Sequence, residues 1–152
     1  IVIIDTPAGT SQRLWNLVAE SYCVLIPTSL SNADLAPTES FIKSMDKVKA
    51  RYNQIYPHLV VCPNKIPFGQ KDYSIMAKRL SNHDVVIGPA IRDLASVRHF
   101  YNGNYNMKEG QNAGEDFGRF GDFVNKFVVK GELDKIYHNG KNNLNVVPFS
   151  KG

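Results

Sequence analysis

The chain opens on Ile1-Val2-Ile3-Ile4-Asp5-Thr6-Pro7-Ala8-Gly9, and the reading of that stretch decides the fold. Four apolar β-formers stand in a row without polar alternation, the pattern of a strand buried on both faces of a parallel sheet. The run stops at Asp5, and Pro7 and Gly9 turn the chain directly after it. In open α/β sheets ligands bind outside the carboxyl ends of the strands. A carboxylate at that place, with Gly9 letting backbone come close to a bound group, suits a water-mediated hold on Mg²⁺ beside a phosphate. Strand, aspartate and turn also occur where the aspartate only caps the next helix, so the choice falls to the rest of the chain.

Working outward, three more apolar runs follow: Tyr22 to Pro27, Leu59 to Cys62, and Val85 to Ile87. Each ends at or near a proline (Pro27, Pro63, Pro89) and a polar or glycine-containing turn. Helical spacing fills the intervals. Thr10 or Ser11 caps a helix over roughly Gln12 to Ser21, striped by Leu14, Trp15, Leu17 and Val18. A long helix has Pro37 in its first turn and Glu39 near its positive end, with Phe41, Ile42, Met45, Val48, Tyr52 and Ile55 on one face. Lys43, Lys47, Lys49 and Arg51 lie mostly off that stripe, on a face read as solvated, with a non-specific DNA surface as the alternative. Tyr73, Met76, Ala77 and Leu80 mark another helix. Residues 101 to 114, rich in Asn and Gly, read as a loop. Phe117, Phe120, Phe123, Val124, Phe127 and Val128 form the stripe of a last helix. Strands alternating with helices predict an α/β fold, a mostly parallel sheet flanked by helices.

Composition sets bounds without choosing a function. The 152 residues fit one domain, and 43% apolar content supplies a core. No run of eighteen apolar residues and no cleavable leader pattern is present, so neither a membrane span nor secretion is expected, and the expected compartment is the cytoplasm. Cys23 and Cys62 each sit inside an apolar run and read as structural thiols rather than metal ligands. The net charge of +4 is mild and scattered, which permits contact with nucleic acid but does not demand it.

The wording Ile3-Ile4-Asp5-Thr6-Pro7-Ala8-Gly9 resembles the Walker B and switch segment of the ParA/MinD family of ATPases, the deviant Walker A class, and the resemblance recurs in order to about residue 130. It implies a P-loop NTPase-like sheet and a division into residues 1–130, the ATPase part, and residues 131–152, a tail outside the resemblance. Asp5 would then be the catalytic residue and hold Mg²⁺ through water, while the backbone of Pro7, Ala8 and Gly9 senses the terminal phosphate of ATP. Asn64, after the Leu59–Cys62 run, matches the family's adenine-recognising asparagine. A side-chain amide offers both donor and acceptor to the adenine edge, while in the bland reading it only closes a turn. A GTPase would want Asn-Lys-x-Asp there, but position 67 is Pro, and Ala8 stands where it would want Gly. Pro89 and Ala90 would border the ring by the same resemblance. Arg92 and Arg98 correspond to a region whose arginines help such proteins bind DNA, with surface or ion-paired roles as the alternative. Asp34 falls in a loop used for dimer or partner contacts, or else serves the start of the long helix.

The phosphate loop itself, Gly-x-x-x-x-Gly-Lys-Ser/Thr or the family's variant with an additional lysine, is absent from the 152 residues. In the family it lies upstream of this first segment. The sequence therefore reads as the carboxy-terminal part of a longer protein, incomplete at the amino end. The expected function is a ParA-like ATPase for plasmid or chromosome partition: an ATP-dependent homodimer, nucleoid-associated, binding DNA non-specifically and stimulated by a centromere-binding ParB-like partner. The alternatives are a MinD-like membrane-cycling ATPase using the last helix as an amphipathic anchor, a relative acting in conjugative transfer, and a degenerate binding module without turnover. Without the phosphate loop the 152 residues should not hydrolyse ATP. They should also present an apolar strand edge that a companion segment fills or that limits solubility.

Overall fold

In the computed structural model, which describes residues 1–6, 11–52, 56–67, 69–70, 72–94, 112–135 and 145–146, strands and helices alternate from residue 12 onward. Helix α1 (Gln12–Glu20) starts on Ser11, whose hydroxyl oxygen accepts the Leu14 N–H at 3.3 Å. It ends where the Ser21 hydroxyl donates to the Val18 carbonyl. Strand β1 (Cys23–Thr28), helix α2 (Asn32–Tyr52), strand β2 (His58–Pro63), helix α3 (Ser74–Leu80) and strand β3 (Val86–Ile87) follow. Helix α4 (Asn112–Phe123) runs on into a π-helical stretch, Val124–Val129, and a two-residue strand, β4 (Asn145–Val146), completes the order. The strands lie in the order β1-β2-β3-β4 and every neighbouring pair is parallel. The fold class is α/β.

Alternation along β2 explains the layers. Leu59 and Val61 face one way, into a core closed by Val18 of α1, Leu35, Ile42 and Met45 of α2, and Met76 and Leu80 of α3. Val60 and Cys62 face the other way, against Phe123 and Leu133, with Phe120, Val124, Phe127 and Val128 packed around them. A strand covered on both sides has no polar face to show, which is why all six residues of β2 are buried and why its sequence reads as a continuous apolar run. The aromatic stripe of the last helix is accordingly a packing surface: Phe123 is buried, its ring tilted 39° to that of Phe127 with centroids 5.0 Å apart.

β1 is an edge strand. The Tyr22 and Thr28 carbonyls accept the N–H groups of His58 and Asn64, so the even-numbered peptide groups of β1 face β2. Those of Cys23, Leu25 and Pro27 face outward, as the alternation of a parallel ladder requires.

Several expectations need correction. Ile1 to Ile4 form no strand and are 54–86% exposed, and Ile1, Val2 and Ile3 are the most exposed large apolar side chains among the described residues. β-branched residues become a strand only where a neighbour takes their peptide groups, and among the described residues β1 pairs with β2 alone. Pro37 lies in the second turn of α2 instead of the first, because the helix starts earlier, at Asn32. The proline leaves the Ala33 carbonyl without its helical donor, and both residues are exposed, so water takes that place. Lys49 belongs to the buried face: it is 8% exposed, and its ammonium lies 3.2 Å from Asp84. Its aliphatic stem covers core while the head pairs at the margin. Residues 112–114, assigned to a loop, already belong to α4. The tail also contributes to the sheet, since Asn145 and Val146 pair with Val86 and Ile87.

Burial pushes the thiols of Cys23 and Cys62 up to about 12. Because the thiolate is the reactive form, both cysteines should react with a disulfide reagent at pH 7.5 at least tenfold more slowly in the folded chain than in urea, as followed by thiol release. Rapid modification of Cys23 in the native state would show that the β1 edge opens.

Candidate functional site

The carboxyl ends of β1, β2 and β3 point the same way, and backbone hydrogen bonds lace the turns beyond them into one rim. Asn64 N–H donates to the Thr28 carbonyl at 2.8 Å, joining the end of β2 to that of β1. Ile91 N–H donates to Pro63 at 2.8 Å and Gly88 N–H to Val61 at 2.9 Å, joining the turn after β3 to β2. Ile66 and Asp93 complete the lacing, the first donating to Ile91 and the second to Ile66. On the β1 side, Thr38 of α2 donates to the buried Thr28 hydroxyl at 3.1 Å, which fixes the helix to the strand end. Ser31 accepts the Asp34 N–H, and the Asp34 carboxylate accepts the Ser29 hydroxyl. Asp34 is thus tied into the start of α2, the role its alternative reading gave it.

Asn64 and Lys65 make the tightest turn of the rim. Lys65 adopts a left-handed conformation (φ 53°) that non-glycine residues seldom take. The Asn64 side-chain oxygen accepts the Lys65 N–H at 2.9 Å and so supports that turn. The asparagine's amide NH₂ bonds to nothing among the described residues, and the oxygen keeps a second lone pair. Asn64 is half-buried and Lys65 is exposed. Pro89 and Ala90 are buried at the same rim, and any contact they make outward runs through backbone.

Arg92 is held differently from the DNA-facing role the resemblance implied. Its guanidinium grips the carboxylate of Asp116, with Nε 2.9 Å from Oδ2 and Nη2 2.9 Å from Oδ1. Its backbone N–H reaches the same carboxylate at 3.0 Å, and Nη2 also donates to the Asn112 carbonyl. Arg119, one turn along α4, donates to the other side of Asp116. The ion-paired alternative is therefore the one observed for Arg92. Asp116 is fully buried. Burial pushes its carboxyl up, but hydrogen bonds from Arg92 and Arg119 outweigh that and hold it below the ordinary carboxylate range.

The other expected site residues are not gathered here. Asp5 is exposed and makes no hydrogen bond or ion pair with a described residue. Pro7, Ala8, Gly9 and Arg98 lie outside the described residues. Among the described residues no group of three or more His, Cys, Asp or Glu side chains is placed to hold a metal ion, and no helix is long and apolar enough to cross a membrane. Asp116 is the residue the sequence reading passed over. Its signal was its position, since residues 116, 120, 123 and 127 share one helical face and an acid among three phenylalanines needs a buried partner.

No family model, no curated protein and no solved structure matches this chain.

Proposed function

We propose that the chain is the carboxy-terminal part of a ParA-like, Mg²⁺-dependent ATPase that works as a nucleotide-switched dimer on DNA, with a ParB-like protein as its stimulating partner. The observation that carries this reading is the laced rim, where Asn64, Pro89 and Ala90 come together at the carboxyl ends of parallel strands, the place where such folds take ligands. Asn64 would direct its amide at the adenine edge, and the backbone of Pro89 and Ala90 would line one side of the ring. Asp5 would have to fold against this rim to reach a magnesium-bound phosphate, which makes docking of the exposed residues 1–6 part of the proposal. The packing of Phe123, with Phe120 and Phe127 against it, weighs against α4 as a membrane anchor.

The test is equilibrium binding of a fluorescent ATP analogue by the full-length product, phosphate loop included. ATP should compete well and GTP poorly. Asn64→Ala should weaken ATP about tenfold, the value of one or two hydrogen bonds to the base, while leaving the residual GTP competition unchanged. Equal competition by both nucleotides, or an Asn64→Ala variant that binds like the parent, would remove the adenine role.

A further inference from the structure

A second polar cluster lies at the opposite end of the sheet, the amino ends of β1 and β2, and nothing in the nucleotide reading uses it. After the π-helical stretch, Gly131 takes a left-handed conformation (φ 69°) and turns the chain back toward Tyr22. Leu133 then enters the core beside Val60 and Phe123, fully buried. The next residue, Asp134, meets three side chains that converge on its carboxylate. His58 Nε2 lies 2.7 Å from Oδ1, the Tyr56 hydroxyl donates to Oδ1 at 3.1 Å, and the Tyr22 hydroxyl donates to Oδ2 at 3.4 Å. The three rings pack on one another, with centroids 4.9–5.4 Å apart. An ionised carboxylate only accepts, so His58 must present Nε2–H to it and take any further proton on Nδ1.

We propose that Asp134, gripped by Tyr22, Tyr56 and His58, is an acid-released latch that holds residues 131–135 over the amino ends of the strands and keeps Leu133 seated in the core. Three hydrogen bonds converge on this one half-exposed carboxylate, while its histidine partner is entirely buried. Losing the negative charge therefore weakens all three bonds together.

The charges that face His58 come from five places. They are Asp134 itself, Tyr56 ahead of β2, Tyr22 ahead of β1, Lys49 on α2, and Asp84 ahead of β3. Burial lowers the His58 imidazole below its ordinary value, and the nearby Lys49 adds to that, against the pull of Asp134 and Asp84. The hydrogen bond from His58 in turn lowers Asp134, with the tyrosines helping. Tyr22, raised to about 12 by burial and by Asp134, stays a donor throughout. Both depressed groups act in the same direction. The unfolded segment binds protons more readily than the latched one, so the latch is whole above about pH 6.5, the ordinary histidine value. It is lost as pH falls, first as His58 is driven to protonate and then as Asp134 is, below about 3.9.

Amide hydrogen exchange of the full chain, read separately for residues 131–135 and for β2, tests this. Expected is a rise in exchange at 131–135 below pH 6.5 under conditions where β2 stays protected. Asp134→Asn should exchange at least tenfold faster there already at neutral pH, because the charged acceptor shared by the three donors is gone. Tyr56→Phe, which deletes one donor from the exposed side, should speed exchange about two- to tenfold. If Asp134→Asn unfolds the whole chain, Tyr56→Phe decides, and an unchanged rate in that variant overturns the latch. Exchange at 131–135 that follows β2 at every pH overturns it as well.

Discussion

Asp116→Ala is expected to destabilise the chain by about 3–5 kcal/mol, the range seen when one partner of a buried ion pair is removed. The carboxylate is fully buried, so it gives up its hydration on folding, and among the described residues the compensation comes from Arg92, Arg119 and the Arg92 backbone. Deleting it leaves two guanidinium groups facing one another near a core made of phenylalanine. For a chain of this length the loss corresponds to a fall of roughly 10 °C in the unfolding midpoint, measurable by circular dichroism. Glu115 is the internal control. It is exposed and only 3.9 Å from Arg92, so Glu115→Ala should move stability by less than about 0.5 kcal/mol. The pH dependence has the same origin. Because Asp116 is held below the ordinary carboxylate range, its contribution is present above about pH 4 and is lost as pH falls through the folded value. Loss of under about 1 kcal/mol in Asp116→Ala would mean that Arg92 is carried by solvent and free to serve another partner.

The second large effect is a silence. The 152 residues alone should hydrolyse no ATP above the buffer rate. Phosphoryl transfer depends almost wholly on positioning and charge stabilisation, and single donors to the transferring group are worth about a hundredfold to a thousandfold. The chain holds no glycine-rich loop followed by lysine and serine or threonine, so both the backbone cradle and the phosphate-neutralising lysine have to come from elsewhere. Supplying the phosphate-loop segment should raise turnover by several orders of magnitude, and Asp5→Asn should abolish that gain. Turnover by the purified isolated chain that Asp5→Asn leaves unchanged, with contaminating phosphatase excluded, would instead place the catalytic groups among residues not considered above.

Much of the architecture was legible because burial on both faces leaves a plain mark. Leu59 to Cys62 reads as a strand from composition alone and β2 extends it by one residue at each end, while the packed face of α3 is announced by Met76 and Leu80. The same rule misled at Ile1 to Ile4, where the residues carry the strand signature and the sheet offers no partner. Apolarity reports what a segment tolerates, and pairing decides what it becomes. The start of α2 was misplaced by trusting Pro37 as a first-turn residue, whereas the hydroxyl of Ser31 sets the true beginning. At the candidate site the resemblance singled out Asn64, Pro89 and Ala90, and what the sheet adds is that the turns after β2 and β3 lie at one end of it. Asp134 was not legible, since its histidine partner stands 76 residues away in the chain, and for Asp116 the helical face showed only that a partner was needed, Arg92 lying 24 residues away.

The outer margin of β1 has a bearing on how the molecule meets other chains. Cys23 and Leu25 turn both an amide hydrogen and a carbonyl outward, but Pro27 offers a carbonyl alone. A guest segment aligning there finds purchase at the amino end and runs out of donors toward Thr28. Pairing along this border is thereby arrested one step short of the rim formed at the carboxyl ends of the strands.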